Sequence, residues 1–396
     1  MFDTLYIGTS GLLSNAQGLK IVSNNLANVN TPGFKSSQLQ FADLFEQSGG
    51  GISSQSSHKE SVGQGVASMG AALNFRAGND QSTGNALDQS ISGNGMFVVR
   101  RDGELLYTRA GDFEFDGKEV LTNGAGDHVQ ALDAGGELVD ITLDGLGTSA
   151  AKATTTVKFT GNLSTAVVAT PVDAALNGVV LIDTAGVSHT VNLSFKDIGG
   201  GSYTVTVSND ATPPVVLTTG TLKFANTKPV AGSDSITLQY PIAGQAALSV
   251  KLDFSANVTA QTTGSPLAMA SQDGHVSGVR TDQTIDNDGT ISVHYSNGET
   301  VKGPRLALAQ FVTEHDLVQV GGGAFSKTRD GQVQYGYAGV DWFGKLQAGH
   351  REGSNVDLAE EFSNLIVMQR GYQAASHVIS TANDMIQELF DMKGHR

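Results

Sequence analysis

Apolar positions recur every seventh residue at both ends of this chain and every second residue between them. Leu5, Leu12, Leu19 and Leu26 form the first stripe, and Leu358, Leu365, Tyr372, Ile379 and Ile386 form the second. A seven-residue apolar repeat is a helical face that wants a partner helix. The pattern predicts helices over 3–28 and 357–392, about 39 and 54 Å long at 1.5 Å per residue. Thr9, Ala16 and Ser23 lie beside the first stripe and are small enough for close helix approach. Phe362, Gln369, Ser376, Asn383 and Phe390 flank the second, so the seam is set partly by polar register. Asn28, Asn30, Thr31, Pro32 and Gly33 stop the first helix, since proline forces its predecessor out of helical geometry. Ser354 or Asn355 is the expected cap of the second, with Asp357, Glu360 and Glu361 placed to complement the helix dipole.

Between the helices the pattern is that of strands and turns. Residues 31–70 read as a polar connector, either a linker or an extended strand pair that orders only against its neighbours. It holds one apolar cluster, Phe41, Leu44 and Phe45, and then a Ser/Gly/Gln run from Ser48 to Ser57. Farther on, Asp102-Gly103 separates Met96-Phe97-Val98-Val99 from Leu105-Leu106-Tyr107, which predicts a hairpin. Asp116-Gly117 separates Phe113-Glu114-Phe115 from Val120-Leu121 and predicts a second. Asp288-Gly289 and Asn297-Gly298 mark two more turns. Residues 146–276 contain no Arg, Glu or Trp and are rich in Thr, Val, Ser and Ala, as in Tyr203-Thr204-Val205-Thr206-Val207. That shift marks an inserted module, a β-sandwich or small barrel. The expected fold class is α+β, mostly β. Terminal helices (1–30 plus 355–396) pair as a coiled-coil-like inner layer, followed by a connecting segment (31–70). They nest around a middle β-domain (71–145 plus 277–354) that carries an outer β-domain (146–276).

Composition narrows the function. The chain has 396 residues, 39% hydrophobic, 49 of them Gly, with a net charge of −15. An acidic chain without a basic stripe is a poor partner for nucleic acid or an anionic membrane. Cysteine is absent, which removes disulfides, thiolate metal sites and thiol catalysis. No stretch is apolar for the roughly 18–20 residues of a membrane span. Asp3 and the Gly8–Gly11 run do not fit a cleavable secretory signal, so an exported chain would use another route. No catalytic, cofactor or metal motif is found. Gly93-Asn94-Gly95 lacks the third glycine of a dinucleotide loop, and Gly199–Gly201 and Gly321–Gly323 lack the lysine of a phosphate loop. Asp286, Asp288 and Gly289 suit a hairpin turn better than a calcium loop, whose earlier ligand position is taken by Thr284. Ser10 has neither an elbow context nor a His partner. The chain therefore reads as a structural protein, not an enzyme.

Each helical stripe can pair with the other in an intramolecular hairpin or with the ends of neighbouring copies. The unequal lengths would leave surplus C-terminal helix uncovered in the hairpin, so a subunit interface is expected at Leu5, Leu12, Leu19, Leu26, Leu358, Phe362, Leu365, Tyr372, Ile379 and Ile386.

The run Asn24-Asn25-Leu26-Ala27-Asn28-Val29-Asn30-Thr31-Pro32-Gly33-Phe34-Lys35 resembles the N-terminal motif of the flagellar rod and hook axial proteins. Leu87–Phe97 resembles that family's core strand entry, Tyr107–Phe113 its hairpin motif, and Ser354–Phe362 with Gln369–Ala374 its C-terminal helix. The order and nesting of these stretches agree as well. The family motif falls on Asn24, Asn25, Asn28, Thr31, Pro32, Gly33 and Phe34, and 146–276 carries no resemblance. Rod members are shorter and lack a large insert, so the resemblance implies a hook-type subunit. Such a subunit would polymerise with itself into a curved, flexible, extracellular tube that joins rod to filament, transmits torque and conducts exported subunits. Its implied partners are the distal rod protein, the hook cap, the hook–filament junction proteins and the flagellar type III export apparatus. A distal rod subunit with an unusual insert, or a secreted β-rich adhesin, would share the layout.

Overall fold

The structure, a computed structural model, describes residues 2–45, 63–133, 135–164, 174–262, 266–313, 316–328 and 331–394. The Ser48–Ser57 run lies outside them. The chain forms two compact units. Unit 1 is Met1–Asp144, Gln283–Ser292 and Lys302–Arg396, and unit 2 is Gly145–Asp282 and Val293–Val301.

Unit 1 holds both helices, α1 (Phe2–Ala27) and α2 (Leu358–Gly394). They pack antiparallel within the one chain, with Gly8 against Ile379 and Gly18 against Met368. The connector contributes a strand pair, Ser37–Phe45 antiparallel to Gly63–Leu73. α1 holds this pair through its hydroxyl and amide side chains. Ser10 Oγ accepts from Val66 N, and Ser68 Oγ donates to Gln17 Oε1. Ser10, set aside above as a nucleophile, is thus a tether.

The two halves of the sequence interleave in the main sheet of unit 1. Met96–Arg101 and Glu104–Thr108 form the expected hairpin, with Asp102 and Gly103 both at positive φ as a two-residue turn requires. Leu308–Phe311 then pairs with Met96–Arg101, and Ala324–Lys327 with Glu104–Thr108. The ten-stranded sheet runs Leu317–Gly321, Ala324–Lys327, Glu104–Thr108, Met96–Arg101, His128–Leu132, Leu121–Asn123, Phe113–Phe115, and Leu308–Phe311 with Val333–Gly336 branches from it at Met96–Arg101. Its core gathers Met96, Val98, Tyr107, Ala309, Leu317 and Phe325. The Tyr107 and Tyr335 hydroxyls meet at 2.9 Å inside it, and burial with this bond raises the Tyr107 pKa. Two short pairs, Gln89–Ser92 with Lys345–Ala348 and Asp80–Ser82 with His350–Glu352, carry the chain from this sheet into α2.

Unit 2 is a sandwich of an antiparallel five-stranded sheet (174–229) and a mixed four-stranded sheet that pairs Thr156–Ser164 in parallel with Leu248–Gln261. Alternation sets its faces. Tyr203, Val205 and Val207 point inward while the intervening Thr residues are only half-buried. Phe159 stacks on Phe254 at 4.6 Å and Phe195 meets Phe254 edge-on, so one aromatic cluster joins the two sheets. Lys152 and His275 exchange both backbone hydrogen bonds where the chain enters and leaves the sandwich.

Two expectations need correction, and a third is met. The cap of α2 is Asp357, whose Oδ1 accepts from Ala359 N and Glu360 N. Ser354 is one turn too early and bonds only Val356 N, and Asn355 is committed elsewhere. The close approach of the helices is made by glycines of α1, whereas Thr9 and Ser23 face solvent. As expected, Asp286 and Asp288 turn a hairpin: Asp288 Oδ1 accepts from Thr290 N, and Asp286 Oδ2 from Ser292 Oγ.

Candidate functional site

The helix pair and the junction at its base form the site. On α1, Gly8, Gly11, Gly18 and Asn25 face α2. A Cβ at Gly8 would lie 2.8 Å from Ile379 Cγ1, and one at Gly18 2.8 Å from Met368 Sδ. Each glycine in a helix interior costs about 0.5–1 kcal/mol relative to Ala, and here the cost gives backbone-to-side-chain contact. The facing positions of α2 recur near heptad spacing: Glu361, Leu365, Met368, Ala375, Ile379, Ala382 and Ile386 are all buried or half-buried.

The predicted interface residues divide. Leu5, Leu12, Leu19, Leu26, Leu365, Ile379 and Ile386 are half-buried beside this intramolecular seam. Leu358, Phe362 and Tyr372 are exposed on α2, Tyr372 although it shares the heptad position of Leu365 and Ile379. With them the structure exposes Ile366, Val367, Val378, Met385, Leu389, Phe390 and Met392. Exposure reaches 70% at Phe390 and 76% at Met392. The sequence stripe missed most of these because it followed one heptad position, whereas α2 carries apolar residues at several other positions around its circumference. Unpartnered apolar faces of this extent mark contact surfaces.

The family-motif residues build the junction. Asn28 Nδ2 donates to the Asn24 carbonyl and Thr31 Oγ1 to Asn28 Oδ1, which closes the end of α1. Pro32 is half-buried there. Asn25 is buried, with its amide exchanging two hydrogen bonds with Ser37 and donating to Glu361 Oε1 at 2.7 Å. Gly33 sits at φ 65°, packed so tightly on Arg109 and Ala110 that any side chain would strike their backbone. Phe34 is buried just beyond it.

Lys35 follows, fully buried, with Nζ 2.5 Å from Glu352 Oε1 and 2.9 Å from the Arg76 carbonyl. The same Oε1 accepts from Gly78 N, and Oε2 accepts from Arg109 Nη1 at 3.2 Å. Arg109 also reaches the Ile91 and Gly93 carbonyls. Asn355 completes the clasp by accepting from Ser36 N and donating to the Asn74 and Arg76 carbonyls. One buried anion with two cations ties the end of α1, the main sheet and the start of α2 into one body. Glu361, just inside α2, is held above the usual carboxylate range by burial and the nearby Glu360, partly offset by the Asn25 hydrogen bond.

These features can bind and brace. Among the described residues no cluster of three or more His, Asp or Glu side chains is placed to hold a metal, and no helix is long and apolar enough to cross a membrane.

The clasp and the paired terminal helices coincide with stretches matched by family models. Residues 5–35 match "Flagella basal body rod protein", 90–165 match "Flagellar hook protein FlgE/F/G D1 domain", and 347–392 match "Flagellar basal body rod FlgEFG protein C-terminal". The fold and site are those of an axial structural protein of the bacterial flagellum. Full-length relatives narrow the class. The flagellar hook protein FlgE of Borreliella burgdorferi is 32% identical over 99% of this chain and 100% of its own. Those of Salmonella typhimurium and Escherichia coli are 31% and 30% identical over 97% of this chain and 98% of theirs. The solved hook protein FlgE2 of Helicobacter pylori aligns with a TM-score of 0.48 and 14% identity, over 67% of this chain and 99% of that one. The chain belongs to the flagellar hook protein family, a family of structural subunits, and is a structural subunit of the hook.

Proposed function

We propose that this subunit polymerises through the outward faces of its terminal helices into a curved, flexible tube outside the cell. The tube carries torque from rod to filament and passes exported subunits through its channel. The observation that carries this reading is the apolar side chains that α2 leaves exposed from Leu358 to Met392. Buried apolar area between copies would supply the association energy, at about 25 cal/mol per Å² before the costs of association.

The interface comprises Leu358, Phe362 and Tyr372 with the exposed residues between Ile366 and Met392. Leu5, Leu12, Leu19, Leu26, Leu365, Ile379 and Ile386 steady the hairpin beneath. Function then divides over four layers: the helices for polymerisation and the channel, the connector and middle β-domain for the wall, and the sandwich for contacts on the outside of the tube. The distal rod protein and the hook cap meet its ends, the junction proteins join it to the filament, and the type III apparatus delivers the subunits. Among the readings that share the layout, only the hook subunit accounts for relatives matched through the insert as well as the ends.

Phe362→Asp and Phe390→Asp test this. Both side chains already meet solvent in the monomer, so thermal unfolding and far-UV circular dichroism should match the wild type. Tubes seen by electron microscopy should be lost. Normal tubes from both variants would refute the helical interface.

A further inference from the structure

Trp342 is the chain's one tryptophan, and it is 78% exposed. It does not sit on a slack loop. Gly339 N donates to the Gly344 carbonyl at 2.9 Å, Gly344 N to the Asn94 carbonyl at 2.8 Å, and Phe343 N to the Val340 carbonyl at 3.1 Å. Arg305 donates to the Ala338 carbonyl and lies 4.7 Å over the Tyr337 ring, while Tyr337 Oη donates to the Leu132 carbonyl. Phe343 is packed over Gly336 and Gly95. Asp341 adopts φ 51°, a left-handed turn that throws Trp342 outward beside the exposed Val340. A braced loop that spends its largest apolar side chain on solvent gains nothing for the monomer. It is pre-organised for a contact, because little side-chain and loop freedom remains to be lost.

The loop follows Val333–Gly336, the outer strand of the branch that leaves the main sheet of unit 1 at Met96–Arg101. The main path itself begins, among the described residues, at the edge strand Leu317–Gly321, where Leu317 enters the core while Val318 and Val320 face solvent. An open sheet edge with apolar side chains is a surface that seeks a partner. Loop and strand are different patches of one chain. A contact between them in two copies is therefore head-to-tail, leaves a free loop on one and a free strand on the other, and repeats without closing. A hook subunit, which must repeat along a tube, is the setting in which such a pair is used.

We infer that Trp342 anchors a second, β-sheet contact between copies, in which the indole of one subunit covers the Val318 and Val320 face of the next. The indole buries its ring on the valines. Tryptophan held in this way is the residue type that most often carries an interface. The inference rests on the polymer reading above but uses a surface separate from the helices.

The single tryptophan makes the test specific, since all indole fluorescence of the full chain comes from this site. In the monomer, emission should be that of a hydrated indole and acrylamide should quench it fully. On assembly, emission should shift to the blue and quenching should fall. Trp342→Ala should fold as the wild type yet raise the critical concentration for assembly about thirtyfold, as expected for a hot spot of about 2 kcal/mol. Val318→Asp, at an exposed position, should do the same and leave the indole quenchable in any polymer that forms. Wild-type tubes in which Trp342 remains fully quenchable overturn the inference while the polymer reading stands. So does Trp342→Ala assembling at the wild-type concentration. Val318→Asp tubes with a protected indole overturn the edge strand as its partner. A wild-type chain that forms no tubes overturns both readings.

Discussion

Glu352 shows how much one residue does at the junction. Both carboxylate oxygens are engaged, by Lys35 and Gly78 N on one side and Arg109 on the other, and its carbonyl accepts from Gly33 N. Glu352→Gln keeps the shape and removes the charge, leaving two buried cations without their anion. The expected loss is about 3–5 kcal/mol, read as a lower urea midpoint of the full chain. An unchanged midpoint would mean that the clasp is not structural. Glu361 makes the opposite case. Its folded-state pKa is raised, so the native state holds this proton more tightly than the unfolded chain does. Its contribution favours the fold most below the unfolded pKa and is lost as pH rises through the folded one. Glu361→Gln, which keeps an acceptor for Asn25, should melt higher than the wild type at neutral pH. That advantage should vanish as pH falls through the carboxylate range, and an advantage independent of pH would contradict the account. The sequence motif around Lys35 marked this region as special, but its partners Glu352 and Arg109 were hidden. Glu352 is 317 residues from Lys35 and 243 from Arg109, and nothing local signals a pairing that distant.

Elements were read with more success where the signal is local. The turn dipeptide Asp102-Gly103 announced its hairpin, and the stripes announced both helices to within one or two residues, Phe2–Ala27 against 3–28 and Leu358–Gly394 against 357–392. The connector could be read only as an alternative, because the Ser37–Phe45 and Gly63–Leu73 pair is held by α1 side chains that no pattern in the strands reveals. The helix seam was misread for a related reason. Leucine periodicity is visible, but which face takes the close contact is decided by where a side chain is missing, at Gly8 and Gly18. Gly8→Leu places a branched side chain against Ile379 and the Ala375 carbonyl. It should loosen the upper half of the pair at a cost of about 1–3 kcal/mol, the usual range for overpacking. Faster amide exchange should appear in the first turns of α1 and near Ile379, with the main sheet unaffected. Exchange unchanged at α1 would show that the glycines are not what sets the helix spacing.

At the scale of the molecule, composition marks one stretch of the chain. The stretch 146–276 that lacks Arg, Glu and Trp lies wholly within unit 2, which also takes in residues up to Asp282 and the separate segment Val293–Val301. That last segment was illegible because it shares the style of the flanking strands and joins unit 2 only through the fold. The clasp binds helices and main sheet into one body, so force applied at the helices reaches the sheet without a slack joint, which is what the proposed torque-bearing role requires. The central claim is that the terminal helices assemble this tube. Electron microscopy of the purified full chain beside a chain cut to residues 31–357, under the same assembling conditions, addresses it directly. The account predicts hollow tubes from the full chain, and a β-rich protein that forms none once α1 and α2 are gone. Tubes from the shortened chain would contradict it.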